Sequence, residues 1–196
     1  MSAARQSPSA GEDERNLRQH AAQARLFFAL WPDPSVQATL EDLGRELQRR
    51  LGGKPTRRES IHLTLAFLGD VAPERIDDVQ AAAARAAFEP FSLTVDGAGC
   101  WNHNGVAWVG PREVSQPLLR LVDSLGRGLL DRGFRIDARP YAAHVTVLRK
   151  ARCRAIDLAI APVQWPVKEF VLVRSQLNAE GSRYTVIGRW PQARPD

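Results

Sequence analysis

Two short stretches of this chain follow one rule, 82 residues apart: His62-Leu63-Thr64-Leu65 and His144-Val145-Thr146-Val147. Strict alternation of polar and apolar residues is the signature of a half-buried strand, on which successive side chains point to opposite faces. In each stretch the apolar pair anchors one face in a core, and the other face offers an imidazole and a hydroxyl. A fold that brings the two strands together therefore collects two histidines and two threonines around one small space.

The elements around these strands are readable from spacing and punctuation. Leu26 to Trp31 is a short apolar run closed by Pro32 and reads as a buried strand. Asp33-Pro34 supplies a cap and a first-turn proline for a helix that carries Val36, Leu40, Leu43 and Leu47 at helical spacing and ends at Gly52-Gly53. Ile61 to Leu68 is the next strand, ended by Gly69-Asp70, and Pro73 opens a second helix with Ile76, Val79, Ala83, Ala84 and Ala87 on its inner face. Phe91 to Val95 returns to β structure. Asn104-Gly105, between Cys100-Trp101 and Val106 to Val109, is the strongest hairpin signal in the chain.

The second half repeats the scheme. Leu118, Leu121, Val122, Leu125, Leu129 and Leu130 form a helical stripe stopped by Gly133, and Ala143 to Leu148 is a strand. Strands are expected over Val167 to Val173 and Tyr184 to Trp190, with a turn over Asn178 to Ser182. Helices interleaved with strands that include a hairpin argue for an α+β fold with mostly antiparallel sheet. Residues 1–24 are polar, with no sustained apolar period, and are expected to form a disordered tail ahead of a single domain spanning 25–196.

Charge narrows the function classes. The net charge of +5 lies beyond the tail, where Arg5, Arg15 and Arg18 are offset by Glu12, Asp13 and Glu14. Seven basic residues fall between Arg132 and Arg154 with Asp137 as the lone acid, and a second run from Arg45 to Arg58 contains only Glu46. Such segments favour a phosphate-bearing partner through counterion release, although solvated helix faces carry the same pattern. No apolar run approaches the roughly 18 residues that cross a bilayer. The chain starts without a secretory pattern, so a cytoplasmic protein is expected. Cys100 and Cys153 are too few and too far apart for a disulfide framework or a common zinc site and are read as buried thiols.

Two imidazoles and two hydroxyls suit phosphodiester cleavage. One neutral imidazole takes a proton from water while the other, protonated, gives one to the leaving oxygen. The threonine hydroxyls donate to the non-bridging oxygens, where charge grows. A lone His-x-Thr reads as a core histidine beside a β-former; two copies of matching parity favour chemistry. His20 in the tail and His103 in the turn read as exposed and idle. Gly97-Ala98-Gly99 lacks the third glycine of a dinucleotide fingerprint, Asn102 standing in its place, and reads as a bend. No Gly-rich phosphate loop and no Lys-x-Asp-Gly setting support ATP-dependent ligation. Threonine partners, rather than carboxylates, disfavour a metal at His62 and His144.

At these residues the chain resembles the two-histidine phosphoesterase superfamily, and within it the bacterial and archaeal RNA 2′,3′-cyclic phosphodiesterases, historically called 2′-5′ RNA ligases. The resemblance covers roughly residues 25–191: Arg25 to Ala29 as the first strand, His62 to Gly69 and His144 to Arg149 as the two motif blocks, and Ser175-x-Leu177 with Arg183-Tyr184 as the closing hairpin. It implies two pseudo-symmetric lobes, each with a sheet, facing a cleft floored by the histidines. It implies His62 as proton donor to the 3′ oxygen, His144 as acceptor from water, and a 2′-phosphate end on an RNA substrate, with reversal to 2′-5′ joining. Phe28, Tyr141 and Arg149 are expected as substrate contacts. No cofactor or metal and a monomer are expected. A proline usual before the second histidine is replaced by Ala143, and strict alternation points Arg149 away from His144 unless a bulge intervenes. The rival readings are the same chemistry on a small cyclic nucleotide and a non-catalytic RNA-end binder.

Overall fold

A computed structural model describes residues 24–153, 157–178 and 181–191. Ala24–Leu30 (β1) is central, and both of its faces are apolar. Leu26, Phe28 and Leu30 enter the main core, while Phe27 and Ala29 join Val171 and Val173 in a smaller cluster on the other side. The helix Pro34–Leu51 (α1) begins where Asp33 Oδ1 accepts from the Ser35 and Val36 amides at 2.9 and 3.0 Å. Satisfying these otherwise orphaned donors is what fixes the start of a helix. It ends at Gly52, whose φ of 63° is the left-handed conformation that glycine adopts without steric cost. The expected boundaries of this helix are therefore the observed ones.

After the short strand Lys54–Pro55 (β2) come a 3-10 turn over Arg58–Ser60 and the first motif strand, Leu63–Val71 (β3). A 3-10 turn at Pro73–Arg75 leads into the helix Ile76–Ala84 (α2). The hairpin strands Phe91–Trp101 (β4) and Val106–Gly110 (β5) pair across the Asn104-Gly105 turn, where Asn104 Oδ1 accepts from the Val106 amide at 3.1 Å. The helix Gln116–Leu130 (α3) precedes the second motif strand, Val145–Arg149 (β6). Strands Asp157–Val167 (β7), Phe170–Asn178 (β8) and Gly181–Trp190 (β9) close the fold.

All pairings are antiparallel, in the order β7-β4-β5-β6-β3-β1-β8-β9, with β2 added beside β6. The α+β class and the two halves are as the sequence implies. The halves, however, are not two separate sheets: they meet through one residue pair, Leu63 with Val145, inside a nine-stranded sheet. The two motif strands are thus neighbours at the midline, which puts both imidazoles in one place. Each long helix reaches toward the other half's motif strand. Gly44 of α1 lets the helix lie so close to β6 that a Cβ there would stand 3.2 Å from Val147 Cβ, while α3 contacts β3.

Four expectations are corrected. The strand read as ended by Gly69-Asp70 runs through both residues to Val71, where they pair with Leu26 and Arg25 of β1. The strand read over Val167 to Val173 is instead the end of β7, a turn and the start of β8, and β7 as a whole was missed. It carries Pro162 and Pro166, which argue against a strand; β7 is an edge strand, where a missing N–H costs no ladder bond. Gly97-Ala98-Gly99 is not a bend but the middle of β4, where a Cβ on Gly99 would fall 2.4 Å from the Trp108 ring. Cys100 and Cys153 are not free thiols but a disulfide with Cα atoms 5.5 Å apart, linking the end of β4 to the segment after β6. Sequence separation says nothing about which strands a sheet places side by side. The expected tail lies outside the described residues except for Ala24, which is buried and paired with Val71.

Candidate active site

His62, Thr64, His144 and Thr146 all border one cavity of about 730 Å³, within the range of small-ligand sites. Among the described residues its wall carries four strong cations, Arg25, Lys54, Arg57 and Arg149, and no carboxylate. An anion is therefore the ligand this space favours.

The two histidines are held in the same way. His62 Nδ1 lies 2.7 Å from the Ser60 carbonyl and His144 Nδ1 lies 2.8 Å from the Ala142 carbonyl, two residues earlier in each case. A carbonyl only accepts, so each Nδ1 carries the hydrogen and donates it, leaving Nε2 for proton exchange. The carbonyl under His62 belongs to the Arg58–Ser60 turn. Arg58 secures that turn to α1 through Glu41, with Nε donating to Oε2 at 2.7 Å.

The surroundings of the rings differ. His62 stacks on Trp31 with centroids 5.2 Å apart and planes 3° apart, and it also meets Phe27 at 4.9 Å and the edge of Tyr184 at 5.3 Å. This aromatic box strips water from the ring, so burial lowers its pKa to about 4, with smaller contributions from Arg149 and His144. His144 meets the edge of Trp101 at 4.6 Å, and burial lowers its pKa too, with Arg149 acting in the same direction. Burial thus favours the neutral form of both rings.

Arg149 reaches this space through a bulge. Ala107 pairs with Leu148 and Trp108 with Thr146, so Val147 is an extra residue in β6. Consecutive residues Val147 and Leu148 are both buried, and Arg149 returns to the face of Thr146. The condition that strict alternation set for this residue is met by that insertion.

Tyr141 does not line the cavity. It is largely buried, which raises its pKa, and its hydroxyl donates to the Thr64 carbonyl at 3.1 Å. It ties the segment before His144 to the other motif strand and so positions both. Phe28 is also corrected: it is fully buried and packs against Phe170 and Trp190 in the main core. The cavity residue is its neighbour Phe27. On a strand apolar on both faces, parity alone does not say which face sees the ligand. Trp31 and Trp101, which form ring contacts with the two histidines, were missed. The alternation Phe27, Ala29, Trp31 on the face of β1 opposite Phe28 was the available signal.

The backbone entering β6 is held without a proline. Gly110 of β5 passes so near that a Cβ there would stand 2.6 Å from the Ala143 carbonyl oxygen and 3.4 Å from His144 Cα. Gly110→Ala should therefore push the Ala142–His144 backbone and cut turnover about tenfold or more, since small displacements of a reacting group are costly. Steady-state kinetics beside a melting curve will check this: a variant with parental kcat would show that the strand entry gives way freely.

The comparisons agree with this architecture. The LigT like Phosphoesterase family model matches twice in succession, over residues 30–108 and 109–184, one match per motif block. An Escherichia coli protein named RNA 2′,3′-cyclic phosphodiesterase is 31% identical over 179 residues, covering 85% of this chain and 95% of that protein. A Thermus thermophilus protein of the same name is 32% identical, covering 85% and 89%. The crystal structure of apo Escherichia coli LigT superposes with a TM-score of 0.77, covering 86% of this chain and 97% of that one. With a duplicated family match across both halves, and relatives above 30% identity along nearly their whole length, this chain belongs to the LigT-like phosphoesterase family.

Proposed function

We propose that the protein hydrolyses the 2′,3′-cyclic phosphate end of RNA to a 2′-phosphate by two-histidine acid-base catalysis. The observation that carries the reading is the pairing of two imidazoles, each with Nδ1 fixed on a backbone carbonyl, on the wall of one cavity that also carries Arg25, Lys54, Arg57 and Arg149. His144, neutral at pH 7, takes a proton from the attacking water through Nε2. His62 delivers a proton to the departing 3′ oxygen. Its low pKa is matched to this task once the anionic substrate arrives, because a nearby negative charge favours the imidazolium. The aromatic box excludes water that would screen that attraction. Thr64 and Thr146 donate to the non-bridging oxygens, and Arg149 supplies fixed positive charge beside both rings.

Both histidines and both threonines come from one chain, so a monomer suffices for the chemistry. The reverse 2′-5′ joining is the same proton path run backward. No metal or cofactor enters this path. We place the folded unit from residue 25 onward, Arg25 of β1 pairing with Asp70 of β3, and the protein in the cytoplasm.

The rival small-nucleotide and non-catalytic readings are separated by one incubation. An oligoribonucleotide ending in a 2′,3′-cyclic phosphate should be opened to the 2′-phosphate isomer, identified by phosphorus NMR. A 3′-phosphate product would reverse the assignment of the leaving oxygen, and binding with no turnover would make the protein an end-binder.

A further inference from the structure

The cavity has cations beyond those the acid-base chemistry uses. Gly53, at a φ of 89°, passes so close to β6 that any Cβ would fall 2.8 Å from the Arg149 carbonyl oxygen and 2.9 Å from the Ala151 backbone. Only glycine fits there, and the chain leaves it directly into Lys54. Lys54 pairs across the sheet with Arg149, and Thr56 continues the ladder by donating its amide to the Val147 carbonyl at 2.8 Å. Lys54, Thr56 and Arg149 all border the cavity.

Directly opposed like charges weaken a strand pair. Among the described residues neither Lys54 nor Arg149 has an ion-pair partner, whereas Arg57 beside them donates to the Ser182 carbonyl and pairs with Glu59. The Thr56 hydroxyl is likewise buried with no hydrogen-bond partner among those residues, an expensive state for a polar group. The two unmatched cations and the unmatched hydroxyl share one strip. Arg149 shares β6 and the cavity wall with Thr146, beside both imidazoles, so it belongs to the reacting phosphate. Lys54 stands one strand spacing, about 4.8 Å, further out.

We propose that Lys54, with Thr56 beside it, forms a second anion subsite that holds the phosphodiester one nucleotide upstream of the reacting end. This rests on the RNA-end reading above and sharpens it: the preferred substrate is an oligonucleotide, not a nucleoside cyclic phosphate. The ligand is a phosphate monoanion within a chain, reached by a flexible point charge.

The test compares Lys54→Gln with the parent on two substrates, a short cyclic-phosphate-ended oligoribonucleotide and a nucleoside 2′,3′-cyclic phosphate. The ratio of their kcat/KM values should fall about five- to tenfold in the variant, and the salt slope for the oligonucleotide should lose about one charge. Replacing the upstream linkage by an uncharged methylphosphonate should erase the difference between the two proteins. A ratio that does not fall, whether both substrates slow together or neither does, would overturn the subsite. A binding arm with a 3′-phosphorylated oligonucleotide and a nucleoside 3′-monophosphate scores the same ratio without turnover. Intact binding preference in a parent that opens no cyclic phosphate would refute the catalytic reading and leave the subsite standing.

Discussion

Replacing either His62 or His144 by alanine should lower kcat by about 10³-fold or more, and the double variant should be scarcely slower than the worse single one. Each imidazole is asked to supply a general acid or base contribution of about 10² to 10⁴. Because water must lose its proton as the 3′ oxygen gains one, removing one partner idles the other, and the effects do not add. His62→Ala also empties the box formed by Phe27, Trp31 and Tyr184, so a His62→Gln variant is the companion that keeps most of the packing. Single-turnover rates for the four variants beside melting curves will decide it. Additive losses would mean that the two histidines act in separate steps.

The threonines should matter less, but still by a wide margin. Thr64→Ala or Thr146→Ala removes one donor to a phosphoryl oxygen, a loss of about 2 to 4 kcal/mol in transition-state stabilisation by analogy with an oxyanion donor. The effect should fall on kcat more than on KM, because the charge on those oxygens grows only as the new bond forms. Thr64 pairs with Ala29 and Thr146 with Trp108 in the interior of the sheet, so alanine leaves the ladder intact. Thr→Ser variants should restore most of the rate. A loss confined to KM would assign the hydroxyls to ground-state binding.

What could be read from the sequence was whatever depends on local periodicity. The Asp33 cap, the Gly52 stop and the Asn104-Gly105 hairpin each follow from a few adjacent residues and stand where those residues imply, and both motif strands are present, shifted so that His62 and His144 stand immediately before their first residues, Leu63 and Val145. What escaped depends on neighbours distant in the chain. The bulge at Val147 that turns Arg149 inward is set by the register of β6 against β5. The choice between Phe27 and Phe28 is set by which face of β1 the cavity occupies, and both faces are apolar. The union of Cys100 with Cys153 follows from β4, β5 and β6 lying in sequence across the sheet. The prolines of β7 are tolerated only because the strand lies at the edge, which is a property of the whole sheet.

The central claim is that two imidazoles perform the reaction without a metal, and the rate as a function of pH in a strong chelator tests it most directly. Burial lowers both pKa values in the free protein, that of His62 to about 4. The profile of kcat/KM, which reports the free protein, should therefore be a bell with its maximum below neutrality. On the acid side it falls as His144 gains a proton, and on the basic side as His62 loses one. Bound phosphate raises the His62 pKa, so the kcat profile should peak at higher pH than that of kcat/KM. Both bells should be unchanged by the chelator. Loss of turnover on chelation, restored by zinc or manganese, would contradict the account and recast His62 and His144 as metal ligands.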